Sequence, residues 1–304
     1  MGLKLNKRSG LKFNPIGHLK QPLILFLHMS GLKRLFTFYI HANFHVALSA
    51  WCLTKVTQIE FGSIDEGVAL FVFASTITSY NLLRYWKRKE IPACDADWLL
   101  SHKRSLILVN ALASLAILFF GAALQKESLF LLIPSFLATL FYNMPFQSGR
   151  QSLRLRNIAG IKIFLVAAVW SSVTVLLPLT ELQSEIQGDP WITFLQRFLF
   201  IFAIAIPFEI RDMSLDKIHM RTIPQSLGIR NSKILGIVLL TLFFSLDFFK
   251  NGQIIYASLP LFLTTLISIG FLLYSNSQRG KYYTSFWVES IPVFWYLLIR
   301  IVLI

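Results

Sequence analysis

The sequence predicts an all-α, polytopic membrane protein of nine transmembrane helices, and three observations predict it. Hydrophobic residues make up 55% of the 304 and charged residues only 14%, with a mean hydropathy of +0.61. Such a chain has too little polar surface to coat a soluble globule. Its apolar residues come in runs of about 20, the length that crosses a hydrocarbon layer as helix. The cations between those runs gather in alternate loops, as the positive-inside bias requires.

Taken in order, residues 1–34 hold seven Lys and Arg and the apolar run PLILFL, which is too short to span and suits the interface. They are expected to form a basic cytoplasmic or interfacial segment of the mature chain, because no small-residue cleavage site follows the run. One membrane domain then covers 35–304. Six spans are free of charge: Leu35 to Thr54, Gly67 to Leu83, Ser105 to Gln125, Ser128 to Gly149, Ile163 to Thr180 and Asn251 to Gln278. Three more are interrupted: Pro190 to Ile210 by Arg197, Ser232 to Phe249 by Asp247, and Tyr282 to Ile304 by Glu289 and Arg300. With the amino terminus inside, 23 of the 29 Lys and Arg fall in inner segments, while the outer loops carry Glu60, Asp65, Glu66, Glu127, Glu181, Glu185 and Asp189. The chain is expected to start in the cytoplasm and end on the opposite side.

The net charge of +14 therefore reads as orientation and contact with anionic membrane lipids, not as nucleic-acid binding. Cys52 lies in the first span and Cys94 in an inner loop, which excludes a disulfide framework or a cysteine metal site. Rossmann, P-loop and nucleophile-elbow patterns are absent from the sequence, so the chemistry is expected in the inner loops.

The stretch RDMSLDKIHMRTIPQSLG at 211–228 sets Asp212 and Asp216 four residues apart among cations. On a helix those carboxylates share a face, and Mg²⁺ is typically held by one or two carboxylates plus substrate phosphates. On the same side, four helices earlier, runs the loop SYNLLRYWKRKEIPACDADWLLSHKR. In this layout, from about the second span to the seventh, the chain resembles the UbiA family of intramembrane prenyltransferases. The resemblance implies nine helices around a cavity open to the cytoplasm and the lipid. It also implies an Asn-and-Asp motif after helix two and a DxxxD motif after helix six, holding Mg²⁺ on a polyprenyl diphosphate. Asp212 and Asp216 stand as the DxxxD, and Thr222, Pro224, Leu227 and Gly228 reproduce the ending that follows it. In FYNMPFQSGRQSLRLRNIAGIKIF, Tyr142, Arg154 and Arg156 match the family's tyrosine and basic loop.

Asn81 stands at the asparagine of the first motif, but the carboxylates expected one, four and eight residues later are Leu82, Tyr85 and Lys89. Ionising an allylic diphosphate requires its charge to be neutralised as the bond breaks. Lys89, with Lys87 and Arg88, puts an ammonium where the second metal's charge is needed and leaves a one-ion site. Alternatively, Asp95 and Asp97 fold back to supply carboxylates. On this reading Asn81, Asp212 and Asp216 bind Mg²⁺ and carry catalysis. Arg84, Lys89, Tyr142, Arg154, Arg156, Lys217 and Arg221 hold the substrate.

The implied reaction moves a prenyl group from a polyprenyl diphosphate to a lipophilic acceptor. The missing carboxylates support an alternative, a non-catalytic relative that binds an isoprenoid lipid or assists a membrane partner. Glu289 lies seven residues into the last span, about 10 Å deep at 1.5 Å per residue, where a carboxylate faces a wet cavity or a partner. Arg197, similarly deep from the other face, is expected to snorkel outward. His41, Asn43 and His45 are expected to make interhelical hydrogen bonds.

Overall fold

A computed structural model of the chain describes residues 20–86, 93–143, 146–148, 151–153, 160–183, 188–213, 222–251 and 255–303. Two units are distinguished, Met1–Tyr39 and Ile40–Ile304. In the first, the PLILFL run belongs to a 22-residue helix, α1 (Lys20–His41), whose Leu32 and Leu35 are exposed.

The second unit begins at a break in what hydropathy reads as one span. Helix α1 ends at His41, Asn43 adopts the left-handed conformation (φ 64°), and α2 (Phe44–Glu60) starts afresh. Asn tolerates that conformation better than most residues because its short polar side chain bonds locally. There follow α3 (Glu66–Trp86), α4 (Ala93–Ser101), α5 (Lys103–Gly121) and α6 (Lys126–Asn143). A two-stranded antiparallel hairpin, β1 (Phe146–Ser148) and β2 (Gln151–Leu153), then pairs Phe146 with Leu153. The remaining helices are α7 (Ile161–Glu181), α8 (Asp189–Asp212), α9 (Ile223–Phe249), α10 (Ile255–Tyr274) and α11 (Tyr283–Val302). Among the described residues, α3, α5, α7, α8, α9 and α11 are long and apolar enough to cross a membrane, and Ser258–Tyr274 of α10 is apolar but shorter.

Helix neighbours form a circuit: α2 packs on α3, α3 on α5 and α6, α6 on α7, and onward through α8, α9 and α10 to α11, which returns to α2. Small residues allow the close passages. Gly236 lies where a Cβ would come within 2.5 Å of Leu272 and 3.1 Å of Ile206, drawing α9 against α10 and α8. The core centres on Phe200, Phe243 and Trp295, with ring centroids 5.1 to 5.4 Å apart.

Arg197 sits in this core and does not snorkel. It is 1% exposed and donates to the Leu53 carbonyl (2.8 Å), Thr57 Oγ1 (3.2 Å) and Thr174 Oγ1 (3.3 Å). Its guanidinium lies 4.9 Å from the Trp295 ring centroid. Inward acceptors and an aromatic face, present together, outbid the route to water. Thr174 belongs to a π turn, Ser172–Leu176, within α7.

The end of the bundle where α2 stops and α3 starts is stapled by polar pairs. Lys55 meets Glu66 at 2.8 Å, and Glu60 accepts from Lys250 and from Thr193 (3.1 Å). Glu181 accepts from the Gln125 backbone at 2.9 Å, and Asp189 accepts from the Asn251 backbone at 3.1 Å. At the opposite end lie the carboxyl ends of α3 and α8 and the start of α11.

Candidate functional site

The carboxyl end of α3 is tied to the break between α1 and α2. Asn81 is buried; its Oδ1 accepts from Asn43 Nδ2 at 2.7 Å and its Nδ2 donates to the Ala42 carbonyl at 3.2 Å. One turn on, Arg84 donates to the His41 carbonyl at 2.6 Å. The helix break exposes carbonyls that no turn satisfies, and these α3 side chains satisfy them.

Asp212 ends α8, and Arg211 grips both of its oxygens, Nε to Oδ1 at 2.7 Å and Nη2 to Oδ2 at 3.1 Å. Both side chains are about a quarter exposed. The same guanidinium donates to Thr284 and to Ser285 Oγ (3.1 Å) and lies 5.4 Å from the Phe208 ring centroid. Thr284 and Ser285 belong to a π turn, Tyr283–Val288, that opens α11; such turns widen a helix and recur at functional sites. Polar residues of α2 cover the carbonyls near that turn. His45 Nε2 lies 2.9 Å from the Phe286 carbonyl and 3.0 Å from Ser290 Oγ, and Ser49 donates to the Glu289 carbonyl.

One turn before Asp212, Glu209 accepts from the Ile223 backbone at 3.1 Å. This contact pins the start of α9 to the end of α8. The TxP-and-LG ending has local causes here. Thr222 is the N-cap of α9, Pro224 is in its first turn, and Gln225 reaches back to the Thr222 backbone at 3.0 Å. Gly228 (φ 78°, ψ 160°) then breaks the helix in a conformation essentially reserved for glycine.

Charges at this end alternate in sign. Asp212 pairs with Arg211; Glu289 lies within electrostatic reach of both Arg211 and Arg84; Arg84 lies within reach of Asp95; and Lys281 Nζ meets Asp95 at 3.4 Å. Lys281 also approaches His41 Nε2 at 3.2 Å. His41 is packed edge-on against Trp98 of α4, centroids 4.6 Å apart, and Trp98 stacks on His102. Asp95 thus lies near Lys281 and Arg84, while Asp97 is exposed.

An apolar cavity of about 520 Å³ flanks the cluster, between α3, α6 and α7, with contributions from α2 and α5. Its wall on α3 runs up to Leu83 and Trp86, beside Asn81 and Arg84 in the same turns. Trp170 Nε1 donates to Tyr80 Oη at 3.1 Å within the lining, and hydroxyls such as Thr78 and Thr139 punctuate it.

Of the expected site residues, Asn81, Arg84 and Asp212 are placed at this one end of the bundle. Tyr142 lies near the end of α6. Lys89, Arg154, Arg156, Asp216, Lys217 and Arg221 lie outside the described residues. Glu289 has the expected setting, a deep carboxylate facing partners, here two arginines. Arg211, Lys281, Thr284 and Ser285 are additions. Their signal was present, as Arg211 adjoins Asp212 and Thr284–Ser285 precede the deep Glu289 by a turn.

The described residues do not fit a two-ion cage. The first-motif positions carry Leu82 and Tyr85, Asn81 spends its amide on Asn43 and Ala42, and both oxygens of Asp212 are taken by Arg211. Among the described residues, no three His, Cys, Asp or Glu group as metal ligands.

By sequence, the chain matches no family model and no curated protein. By structure, it is similar to a UbiA homolog from Archaeoglobus fulgidus bound to GPP and Mg²⁺, with a TM-score of 0.56 and 12% identity over 86% of this chain and 99% of that one. The fold is thus UbiA-like.

Proposed function

We propose that this protein is an integral membrane prenyl-transfer enzyme that takes the prenyl group of a polyprenyl diphosphate and passes it to a lipophilic acceptor. The carrying observation is on α3. One face lines an apolar cavity of about 520 Å³, and residues of the same turns, Asn81 and Arg84, belong to the charged cluster. That pairing suits an amphiphile with a charged head and an apolar tail, and the volume lies in the range of small-molecule pockets, about 300–1,000 Å³. The UbiA-like fold supports the reading, since the A. fulgidus protein is bound to GPP.

In this reaction the allylic C–O bond breaks, its electron pair leaves with the diphosphate, and the acceptor's nucleophilic atom closes on the allylic carbon and sheds its proton. Arg84, Arg211 and Lys281 stabilise the charge that gathers on the leaving group. Cavity walls keep water from the allylic carbon. Lys89, Lys217 and Arg221, and Tyr142 with Arg154 and Arg156, remain the expected further contacts. The Mg²⁺ implied by the resemblance is limited to one ion, on Asp212 and Asp216, and only if Arg211 lets go of Asp212.

The reading includes nine crossing helices, α2, α3 and α5 to α11, with the amino end and the site in the cytoplasm. The distribution of Lys and Arg supports that orientation, and cysteine labelling from each side of sealed vesicles tests it. Incubating the purified protein with labelled polyprenyl diphosphates and membrane extract tests the activity. Pyrophosphate release with a labelled lipid product is expected. Tight binding without turnover would instead favour a non-catalytic isoprenoid-binding protein, a reading supported by the occupied oxygens of Asp212 and by Leu82 and Tyr85 in place of carboxylates.

A further inference from the structure

We infer that the diphosphate is bound by a clamp of Arg84, Arg211 and Lys281 that needs no divalent cation; this rests on the prenyl-diphosphate reading. Three carboxylates and three cations alternate across the site end, Asp212, Arg211, Glu289, Arg84, Asp95 and Lys281. Each of these carboxylates lies beside a cation, by an ion pair for Asp212 and Asp95 and within electrostatic reach for Glu289. Each cation has donors to spare. Arg84 commits one nitrogen to the His41 carbonyl out of five guanidinium N–H groups. Lys281 is 48% exposed at its side chain.

Arg211 is the best prepared of the three. Thr284 and Ser285 hold its Nη1, and the Nε and Nη2 edge is presented to Asp212. That edge is the fork that grips a carboxylate or a phosphate in the same bidentate geometry. Asp212 is thus a stand-in for the ligand. When a diphosphate oxygen pair arrives, it displaces the carboxylate while the Thr284 and Ser285 contacts keep the guanidinium in place, so little ordering remains to be done. Lys281 makes the same exchange with Asp95. Partly exposed ion pairs are weak, and a diphosphate, with more negative charge than either carboxylate, outcompetes them.

This inverts the usual meaning of an acidic motif. In a metal site Asp212 is indispensable; in the clamp it is a competitor. The test measures binding of labelled geranyl diphosphate to the full chain in detergent, in EDTA and in Mg²⁺, with inorganic pyrophosphate as the second probe. Wild-type protein is expected to bind geranyl diphosphate in EDTA. Asp212→Asn, which frees Arg211, is expected to bind it several-fold more tightly there. Lys281→Gln, a change at a half-exposed residue that leaves the fold intact, is expected to weaken it about tenfold, the scale of one charge-assisted contact.

The clamp is overturned if EDTA abolishes wild-type binding and Mg²⁺ restores it, or if Asp212→Asn abolishes binding in EDTA; the prenyl-diphosphate reading survives either result. Equal affinity for inorganic pyrophosphate and geranyl diphosphate would assign the clamp to a free anion and overturn the lipid. Absence of binding by both probes in both conditions would overturn the clamp and the proposed function together.

Discussion

Asn81→Ala separates two roles for one residue. The resemblance makes Asn81 a metal ligand; the hydrogen bonds make it a staple between α3 and the break before α2. Truncation leaves Asn43 Nδ2 without its acceptor at 2.7 Å and the Ala42 carbonyl without its donor at 3.2 Å. Interhelical hydrogen bonds in membrane proteins average about 0.6 kcal/mol and reach about 1.7, so two lost bonds cost about 1–3 kcal/mol. At about 2–4 °C per kcal/mol, the thermal midpoint is expected to fall by roughly 2–12 °C. The assay is tryptophan-monitored unfolding in detergent, compared at one scan rate because membrane-protein unfolding is often irreversible. The Asn43→Ala and Asn81→Ala double-mutant cycle is expected to show coupling of about 0.6–1.7 kcal/mol. An Asn81→Ala protein with unaltered stability and abolished diphosphate binding would refute the staple and restore the ligand.

Three further outcomes are expected. Ala138→Phe fills part of the cavity and is expected to weaken geranyl diphosphate binding about tenfold or more, a loss equal to about two buried CH₂ groups, without changing affinity for inorganic pyrophosphate. Gly228→Ala meets no atom within 4 Å yet must adopt φ 78°, so its cost is conformational, about 1–3 kcal/mol by thermal unfolding. Arg197→Ala opens a cavity beneath Trp295 and is expected to cost about 2–5 kcal/mol, whereas Arg197→Met keeps the volume and costs much less. The hydroxyls it leaves already donate to carbonyls, Thr57 to Leu53 and Thr174 to Trp170. An Arg197→Met variant less stable than Arg197→Ala would show that the buried charge itself holds the helices.

Hydropathy made most helices legible, because a span must hide its backbone whatever its neighbours are. It misses the division at Asn43 because a left-handed turn needs no charge and no proline, and the run Leu35 to Thr54 stays free of Asp, Glu, Lys and Arg through it. Hydropathy runs the fourth span through Gly149, whereas α6 ends at Asn143 and a short hairpin follows; apolar composition alone does not tell the last turn of a helix from a strand. Arg197 was legible as a buried charge but not in its direction. That depends on Leu53, Thr57, Thr174 and Trp295, which lie more than 20 residues away along the chain.

The candidate site was half legible for the same reason. Asp212, Asn81 and Arg84 announce themselves through spacing, and Glu289 through depth. What turns them into one site is the meeting of α3, α8 and α11, with Arg211 reaching across 73 and 74 residues to Thr284 and Ser285. No local pattern encodes that. The TxP-and-LG ending, which reads as a family mark, also has a local use at the start of a helix: a capping threonine, a first-turn proline and a glycine where the chain must bend.

The two ends of the bundle differ in how their charges are spent. At the end where α2 meets α3, Glu66 is matched to a lysine and Glu181 and Asp189 to backbone N–H groups, and Glu60 accepts from both Lys250 and Thr193. Those contacts tie helix ends together. At the site end, the carboxylate of Glu289 accepts no hydrogen bond among the described residues, although two guanidinium fields reach it. Asp95 meets Lys281 only at 3.4 Å. Such loose pairs are weak enough to be exchanged. On the proposed reading, a diphosphate head would exchange with these pairs at the end of α3, and the apolar wall on the same helix would take its tail.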